Sequence, residues 1–152
     1  MENKKLELVI ETAIQREEDA YNFYLDLSQR VNDAMAKETT EFLASEEQKH
    51  KAFLTAYRDG QYAGALKMNA VIDYKIADYL DRPDPEKNLQ SKDVYLIAAH
   101  RELNSYHFYT SLAEIQPEGE VKDILLRMAS EEKKHKEKVE YLYTNTAFPE
   151  VF

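Results

Sequence analysis

At 152 residues, the chain is long enough for one domain with a sizeable hydrophobic core. Its 29 acidic and 20 basic residues give a net charge of −9, which argues against nucleic acid and anionic membrane surfaces as partners. The absence of cysteine excludes disulfides, thiolate zinc sites and iron–sulfur clusters. No apolar run approaches the length of about 18 residues that spans a membrane, and the N-terminus has no signal-peptide core, so we expect a cytoplasmic protein.

Four segments of the chain have apolar side chains at helical spacing, and only three glycines and four prolines interrupt the sequence. This pattern predicts four helices whose inward-facing stripes are, in chain order, positions 6, 10, 13, 17, 20, 24, 27 and 31; positions 43, 47, 50, 54 and 57; positions 95, 98, 102, 105, 109 and 112; and positions 125, 128, 132, 135, 139 and 142.

Short polar breaks separate the helices within each half of the chain. Asn32 and Asp33 divide the first two helices, with Asp33 as the predicted N-cap, and residues 116–119 divide the last two. Because short connections make neighbouring helices antiparallel, each half is predicted to form a hairpin.

A crossover of about thirty residues joins the halves, and within it residues 66–80 are predicted to form a further short helix. The tail from Tyr143 to Phe152 is predicted to be irregular because it contains Pro149.

The predicted fold is all-α: a four-helix bundle of two antiparallel hairpins joined by one long crossover, with an internal pseudo-two-fold. We expect a single domain over residues 1–152, with repeat halves at about 6–58 and 91–143. Between 9–57 and 94–142, 16 of 49 positions are identical at an offset of 85 without a gap, which indicates an internal duplication. The repeated polar positions are Glu17 and Glu102, Glu47 and Glu132, and His50 and His135.

The glutamates of each predicted hairpin lie at equal distances, fifteen residues, from its turn. A helical arm of that length spans about 22 Å, so folding at the turn brings the two glutamates level near the middle of the bundle. In each Glu-x-x-His motif, the spacing of three keeps both side chains on one helix face. Four carboxylates and two imidazoles are therefore predicted to converge, which is a ligand set for two metal ions.

A solvated charged face is the alternative interpretation of the sequence around Glu47 and His50. Both residues nevertheless continue the apolar stripe from Leu43 to Leu54, and buried carboxylates must be neutralised by a proton, an ion pair or a metal. No lysine or arginine occupies an inward stripe, so an external cation is the better partner. Oxygen-rich ligation with one imidazole per ion favours iron or manganese, and zinc would also bind.

This pattern resembles that of the ferritin-like di-iron carboxylate proteins, and most of all rubrerythrins that lack a rubredoxin domain. The resemblance covers about residues 10–145, and its most specific element is the run Glu-x-x-Ala-x-x-Phe-Tyr from Glu17 to Tyr24. It implies a centre of two iron ions. Glu17 and Glu102 would be the terminal ligands, Glu47 and Glu132 would bridge the two ions, and His50 and His135 would cap one ion each.

Two positions depart from related families. Rubrerythrins usually carry a further acid where this chain has Ser105, so the ligand set is closer to that of bacterioferritins. Gln48 stands where bacterioferritins place their haem-ligating methionine.

Two tyrosines, Tyr24 and Tyr109, lie two turns after the glutamates of the first and third helices. Each either donates a hydrogen bond to a ligand carboxylate, acts as a redox partner, or is a core tyrosine whose hydroxyl has found an acceptor. His100 and His107 lie off the inward stripes and are interpreted as surface or crossover residues.

Three functions follow from these predictions. The first is a di-iron oxidoreductase that reduces hydrogen peroxide or dioxygen or oxidises Fe(II), with an external electron-donor protein and a homodimeric assembly. The second is an iron-binding or storage protein of bacterioferritin type, and the third is a metal-free structural bundle.

Overall fold

The computed structural model describes residues 2–60, 77, 83 and 89–147, and in these residues the chain is all-helical. It forms two compact units, Met1–Ala65 and Leu66–Phe152, and each unit is built on one pair of long helices. The first pair is α1 (Glu2–Ser28) and α2 (Ala34–Arg58), and the second is α3 (Ser91–Glu114) and α4 (Glu120–Ala147). The prediction of an all-α chain with four long helices is confirmed, and that of a single domain stays a prediction.

The helices α1 and α2 pack against each other as an antiparallel hairpin. Glu11 near the start of α1 pairs with Arg58 at the end of α2, at 2.7 Å between Oε1 and Nη1, whereas Glu18 pairs with the earlier Lys51. Hydrogen bonds to Asp59 and Glu11 raise the pKa of the Arg58 guanidinium above its ordinary value. The order of these pairs along the two helices agrees with an antiparallel arrangement of α1 and α2.

The turn between α1 and α2 ends at the predicted N-cap. Asp33 has extended backbone, and its Oδ2 accepts a hydrogen bond of 2.9 Å from the backbone N–H of Ala36. At the other end of α2, Gly60 has a φ of 78°, a left-handed conformation that glycine adopts without a Cβ clash. Local chemistry thus sets both ends of α2.

The helices α3 and α4 form the second hairpin, again through a short connection. The backbone N–H of Gln90 donates a hydrogen bond of 3.0 Å to Asp93 at the start of α3, and Gly119 immediately precedes α4. The breaks predicted at Asn32–Asp33 and at residues 116–119 therefore both lie between helices in the structure.

The inward stripes predicted from the sequence are the buried faces of the helices. Every position from 10 to 31 in the first stripe is buried, and in the other three stripes only the last position is half-buried. Tyr24, Leu43, Tyr109 and Leu125 are completely shielded from solvent and form part of this core. None of the described helices combines the length and the apolar character needed to cross a membrane.

The prediction of an irregular tail from Tyr143 was wrong for its first five residues, because α4 continues to Ala147. The physical reason is that Pro149 disfavours helical backbone only at the residue before it, which leaves the preceding turn free to stay helical. Of the short helix predicted at residues 66–80, only Ala77 is described, and it is helical. The rest of that segment and the aromatic end of the tail lie outside the described residues.

Replacing Asp33 with alanine should lower the free energy of unfolding by about 1 kcal/mol, because the first turn of α2 loses its cap. Urea denaturation followed by circular dichroism measures the change. Asp33→Ser keeps a capping oxygen and should recover most of the loss, and Glu41→Ala on the exposed face of α2 should change little. Equal losses in the Asp33→Ala and Glu41→Ala variants would contradict the capping role.

Candidate metal centre

The first hairpin brings Glu17 of α1 together with Glu47 and His50 of α2. One donor atom from each residue lies within 4.8 Å of the donors of the other two. The Nδ1 atom of His50 is 3.6 Å from Oε2 of Glu17 and 3.9 Å from Oε2 of Glu47. We call these three residues the first triad.

The second hairpin builds the same arrangement from Glu102 of α3 and from Glu132 and His135 of α4. Their donor atoms also lie within 4.8 Å of one another, and Nδ1 of His135 is 3.8 Å from Oε1 of Glu102. We call these residues the second triad. In each triad, one helix supplies a glutamate and its partner supplies the Glu-x-x-His motif, as the sequence spacing predicts.

Both triads are withdrawn from solvent, since the four glutamates are each 1% exposed and the two histidines at most 4%. Moving an ionised carboxylate out of water is unfavourable by several kcal/mol unless a positive charge or hydrogen bonds compensate. Four carboxylates and two imidazoles are the donor types that iron and manganese accept, and zinc also binds such a set. The residues present therefore fit a metal site chemically.

Residues next to the triads are small or aromatic. Ala20 and Ser105 lie one turn after the first glutamate of each triad, and both are buried. Tyr24 and Tyr109 lie a further turn along the same helices and are 0% exposed, with their rings packed edge-on against the preceding phenylalanines. These positions agree with the predicted stripes, and the role of the two tyrosines stays a prediction.

The two histidines that the sequence leaves out of the metal site are separate from it in the structure. His107 is exposed and His100 is half-buried, and neither belongs to the clusters of metal-ligating groups found among the described residues.

Sequence reasoning missed a second group of buried charges, Lys136, Glu137 and Glu140, on α4. None of them lies on the predicted stripe of that helix, yet all three are at most 6% exposed. The backbone N–H of Ala77, in the crossover, donates a hydrogen bond of 2.7 Å to Oε2 of Glu140. The available signal was the (i, i+4) pairing of Lys136 with Glu140, which is too common on helix surfaces to indicate burial by itself.

Replacing Glu47 with alanine should abolish the stabilisation that added metal confers through the first triad. With Mn²⁺ at about 100 times its dissociation constant, a single site raises the free energy of unfolding by about 2.7 kcal/mol. Chemical denaturation with and without Mn²⁺ measures this difference. The matched control is Glu46→Ala, which removes a neighbouring acid off the stripe and should leave the metal effect intact. A full metal effect in the Glu47→Ala variant would contradict the assignment.

Comparisons with known proteins agree with this arrangement. The chain is similar to a hypothetical protein from Pyrococcus furiosus of known structure, with a TM-score of 0.64 and 26% identity over 93% of this chain and 90% of the other. No curated protein matches the chain significantly. A sequence model of the rubrerythrin family matches residues 1–58 and 73–149, which is most of the chain. With its ferritin-like four-helix-bundle fold, the chain therefore belongs to the rubrerythrin family.

Proposed function

We propose that this protein is a di-iron carboxylate oxidoreductase that reduces hydrogen peroxide or dioxygen, or oxidises Fe(II), and that its two triads serve one dinuclear centre. The observation that carries the proposal is the formation of the same buried donor set in each hairpin, with the donors within 4.8 Å of one another. Membership of the rubrerythrin family supports iron as the metal, with manganese or zinc as substitutes.

In this proposal the six residues divide into three roles. As the resemblance to the rubrerythrin family implies, Glu17 and Glu102 would serve as terminal ligands and Glu47 and Glu132 as bridging ligands. His50 and His135 would each hold one ion. If loaded with two Fe(II) ions, the site would supply two electrons together, which with two protons suffice to reduce hydrogen peroxide to two water molecules. The protein contributes a site from which bulk water is excluded, because every donor residue is buried.

The second proposed contribution comes from Tyr24 and Tyr109. A phenol is both a hydrogen-bond donor and a redox-active group, and both rings are shielded from solvent on the stripes that carry the glutamates. We assign them to hydrogen bonding with the ligand carboxylates and to exchanging a proton or electron during oxidant reduction. The small side chains of Ala20 and Ser105 leave space for a diatomic oxidant beside them.

Turnover also requires electrons from outside the chain. The sequence has no cysteine, so it lacks the ligands for an iron–sulfur electron carrier of its own. We therefore propose an external electron-donor protein as a partner, and a homodimer as the assembly.

The proposal predicts that anaerobic, Fe(II)-loaded protein reacts with hydrogen peroxide at least about tenfold faster than free Fe(II) does. The reason is that two reducing ions are held side by side, so that the two-electron step needs no second encounter. Stopped-flow absorbance measures the rate. Glu132→Ala should lose the acceleration, and its neighbour Glu131→Ala should keep it. A rate equal to that of free Fe(II) would end the proposal.

In the same experiment, Tyr24→Phe and Tyr109→Phe serve to separate metal binding from proton and electron transfer. Each variant should retain both metal ions, because the hydroxyl is not among the ligands, and should turn over peroxide several-fold more slowly. Unchanged turnover in both variants would indicate that Tyr24 and Tyr109 are only core residues.

Iron storage is a second candidate, favoured by the buried Ser105, which leaves a six-residue ligand set like that of bacterioferritins. Storage requires a closed shell of many subunits. Size-exclusion chromatography with light scattering should instead give about twice the chain mass of 17.8 kDa, as expected for the enzyme. A shell-sized particle that takes up far more than two iron ions per chain would favour storage.

A further inference from the structure

The lysine that follows each motif histidine has opposite surroundings in the two hairpins. Lys51 follows His50 in α2, and Lys136 follows His135 in α4. The side chain of Lys51 is 38% exposed, whereas that of Lys136 is 2% exposed. The triads on the inner faces are equally buried, so the hairpins differ in what covers the flank of the helix that carries the Glu-x-x-His motif.

In the second hairpin this flank is closed by a buried, hydrogen-bonded ion pair. Nζ of Lys136 donates to Oε1 of Glu140 at 3.1 Å, while Oε2 of Glu140 accepts the backbone N–H of Ala77 at 2.7 Å. Both carboxylate oxygens are therefore used, one by the helix itself and one by the crossover. Glu140 is 0% exposed and ties the chain at Ala77 to the turn of α4 that follows His135.

In the first hairpin the corresponding lysine is partly exposed, at 38% of its side chain. Lys51 pairs with Glu18 of α1, whose side chain is also 38% exposed. Beside this pair lies a shallow surface groove lined by Gln48, Lys51, Ala52, Thr55, Ala56 and Asp59. An ion pair at this exposure contributes little to stability, because water and salt screen it.

Two positions account for the difference between the hairpins. At the 85-residue offset, Glu18 corresponds to Leu103 and Thr55 corresponds to Glu140. The second hairpin thus has Leu103 on α3 in place of an acid that could pair with Lys136 at the surface. It has an acid instead at Glu140 on α4, one turn after Lys136. Lys136 pairs there instead, within α4.

The free energy of local unfolding should therefore differ between the two helix segments that carry the Glu-x-x-His motifs. Segments with buried contacts and shielded hydrogen bonds open rarely, whereas segments with a solvated flank open often. Opening α4 at residues 135–140 exposes the ion pair and breaks the bond to Ala77, and disrupting a buried pair is strongly unfavourable. Opening α2 at residues 50–55 exposes Leu54 and breaks the partly exposed pair of Lys51 with Glu18, and breaking an exposed pair is less unfavourable than breaking a buried one. A bound ion leaves through such openings, because its ligands must separate from it.

We propose that the two metal positions exchange at different rates: the ion held by His135 is retained, and the ion held by His50 is the one that enters and leaves. This inference rests on the proposed dinuclear centre and assigns different exchange rates to its two metal positions. The second triad keeps a resident divalent cation, and the first triad takes up and releases a divalent cation from solution. Glu140 and Lys136 act as positioning residues for the second triad, since they hold its helix closed without being assigned as ligands.

The test is release of Zn²⁺, a redox-inactive probe, from the fully loaded protein into excess chromogenic chelator. We expect two phases of equal amplitude whose rates differ by tenfold or more. His50→Ala should abolish the fast phase and His135→Ala the slow one. Glu140→Thr, which gives position 140 the residue found at position 55, should accelerate the slow phase at least fivefold. The matched control, Glu18→Leu, gives position 18 the residue found at position 103 and should leave both phases within about twofold.

A metal-free measurement on the unmutated chain keeps the inference testable if Glu140→Thr fails to fold. Hydrogen exchange of the apo protein should show amides 135–140 at least tenfold more protected than amides 50–55. Failure to bind any Zn²⁺ would overturn the proposed function as well. Two bound ions that leave in one phase, a fast phase that belongs to His135, or equal amide protection of the two segments would overturn this inference alone.

Discussion

Charge withdrawn from water is the constraint on which this structure depends. Each hairpin buries two glutamates on the stripe where an ordinary bundle would place leucine, and the nearest histidine nitrogen lies 3.6 to 3.9 Å from a carboxylate oxygen. An imidazole balances the charge of a carboxylate only when it is protonated, because the neutral ring carries no charge. The helices supply the remaining stability through apolar residues above and below, such as Leu43 and Leu54.

Buried acids have two kinds of surroundings in this chain, those of Glu140 and those of the triads. Glu140 is satisfied from within by Lys136 and by a backbone amide, so no further partner is needed. The triads instead bring together carboxylates and imidazoles, which are donor types that metal ions accept. An internal pair serves to fasten parts of the chain together, and a site of donors alone serves to bind an ion. The two clusters therefore differ in composition, because the cluster of Glu140 includes a lysine and the triads consist of glutamates and histidines.

Periodicity alone predicts most of the fold and the grouping of the triads. The stripes through Glu17 and Glu47 are visible because helix geometry is local, and the turn at Asp33 carries its own capping signal. The buried charges of α4 were not predictable in this way, since Glu140 accepts a hydrogen bond from the backbone of Ala77, which lies 63 residues away in the sequence. The end of α4 lies beyond its predicted position because Pro149 disfavours helical backbone at the residue before it and leaves the preceding turn helical. Helix periodicity and capping can be predicted from a sequence because they are local, whereas contacts between distant segments cannot.

Each triad draws all of its donors from a single hairpin, and this has a consequence for biosynthesis. His50 is the last residue of the first triad, so a nascent chain possesses that set before the ribosome has translated any of α3. Contacts of short sequence separation form early, and domains emerge from the N-terminal side during synthesis. The leading half of the polypeptide therefore carries a complete donor set of its own while the trailing half is still being made.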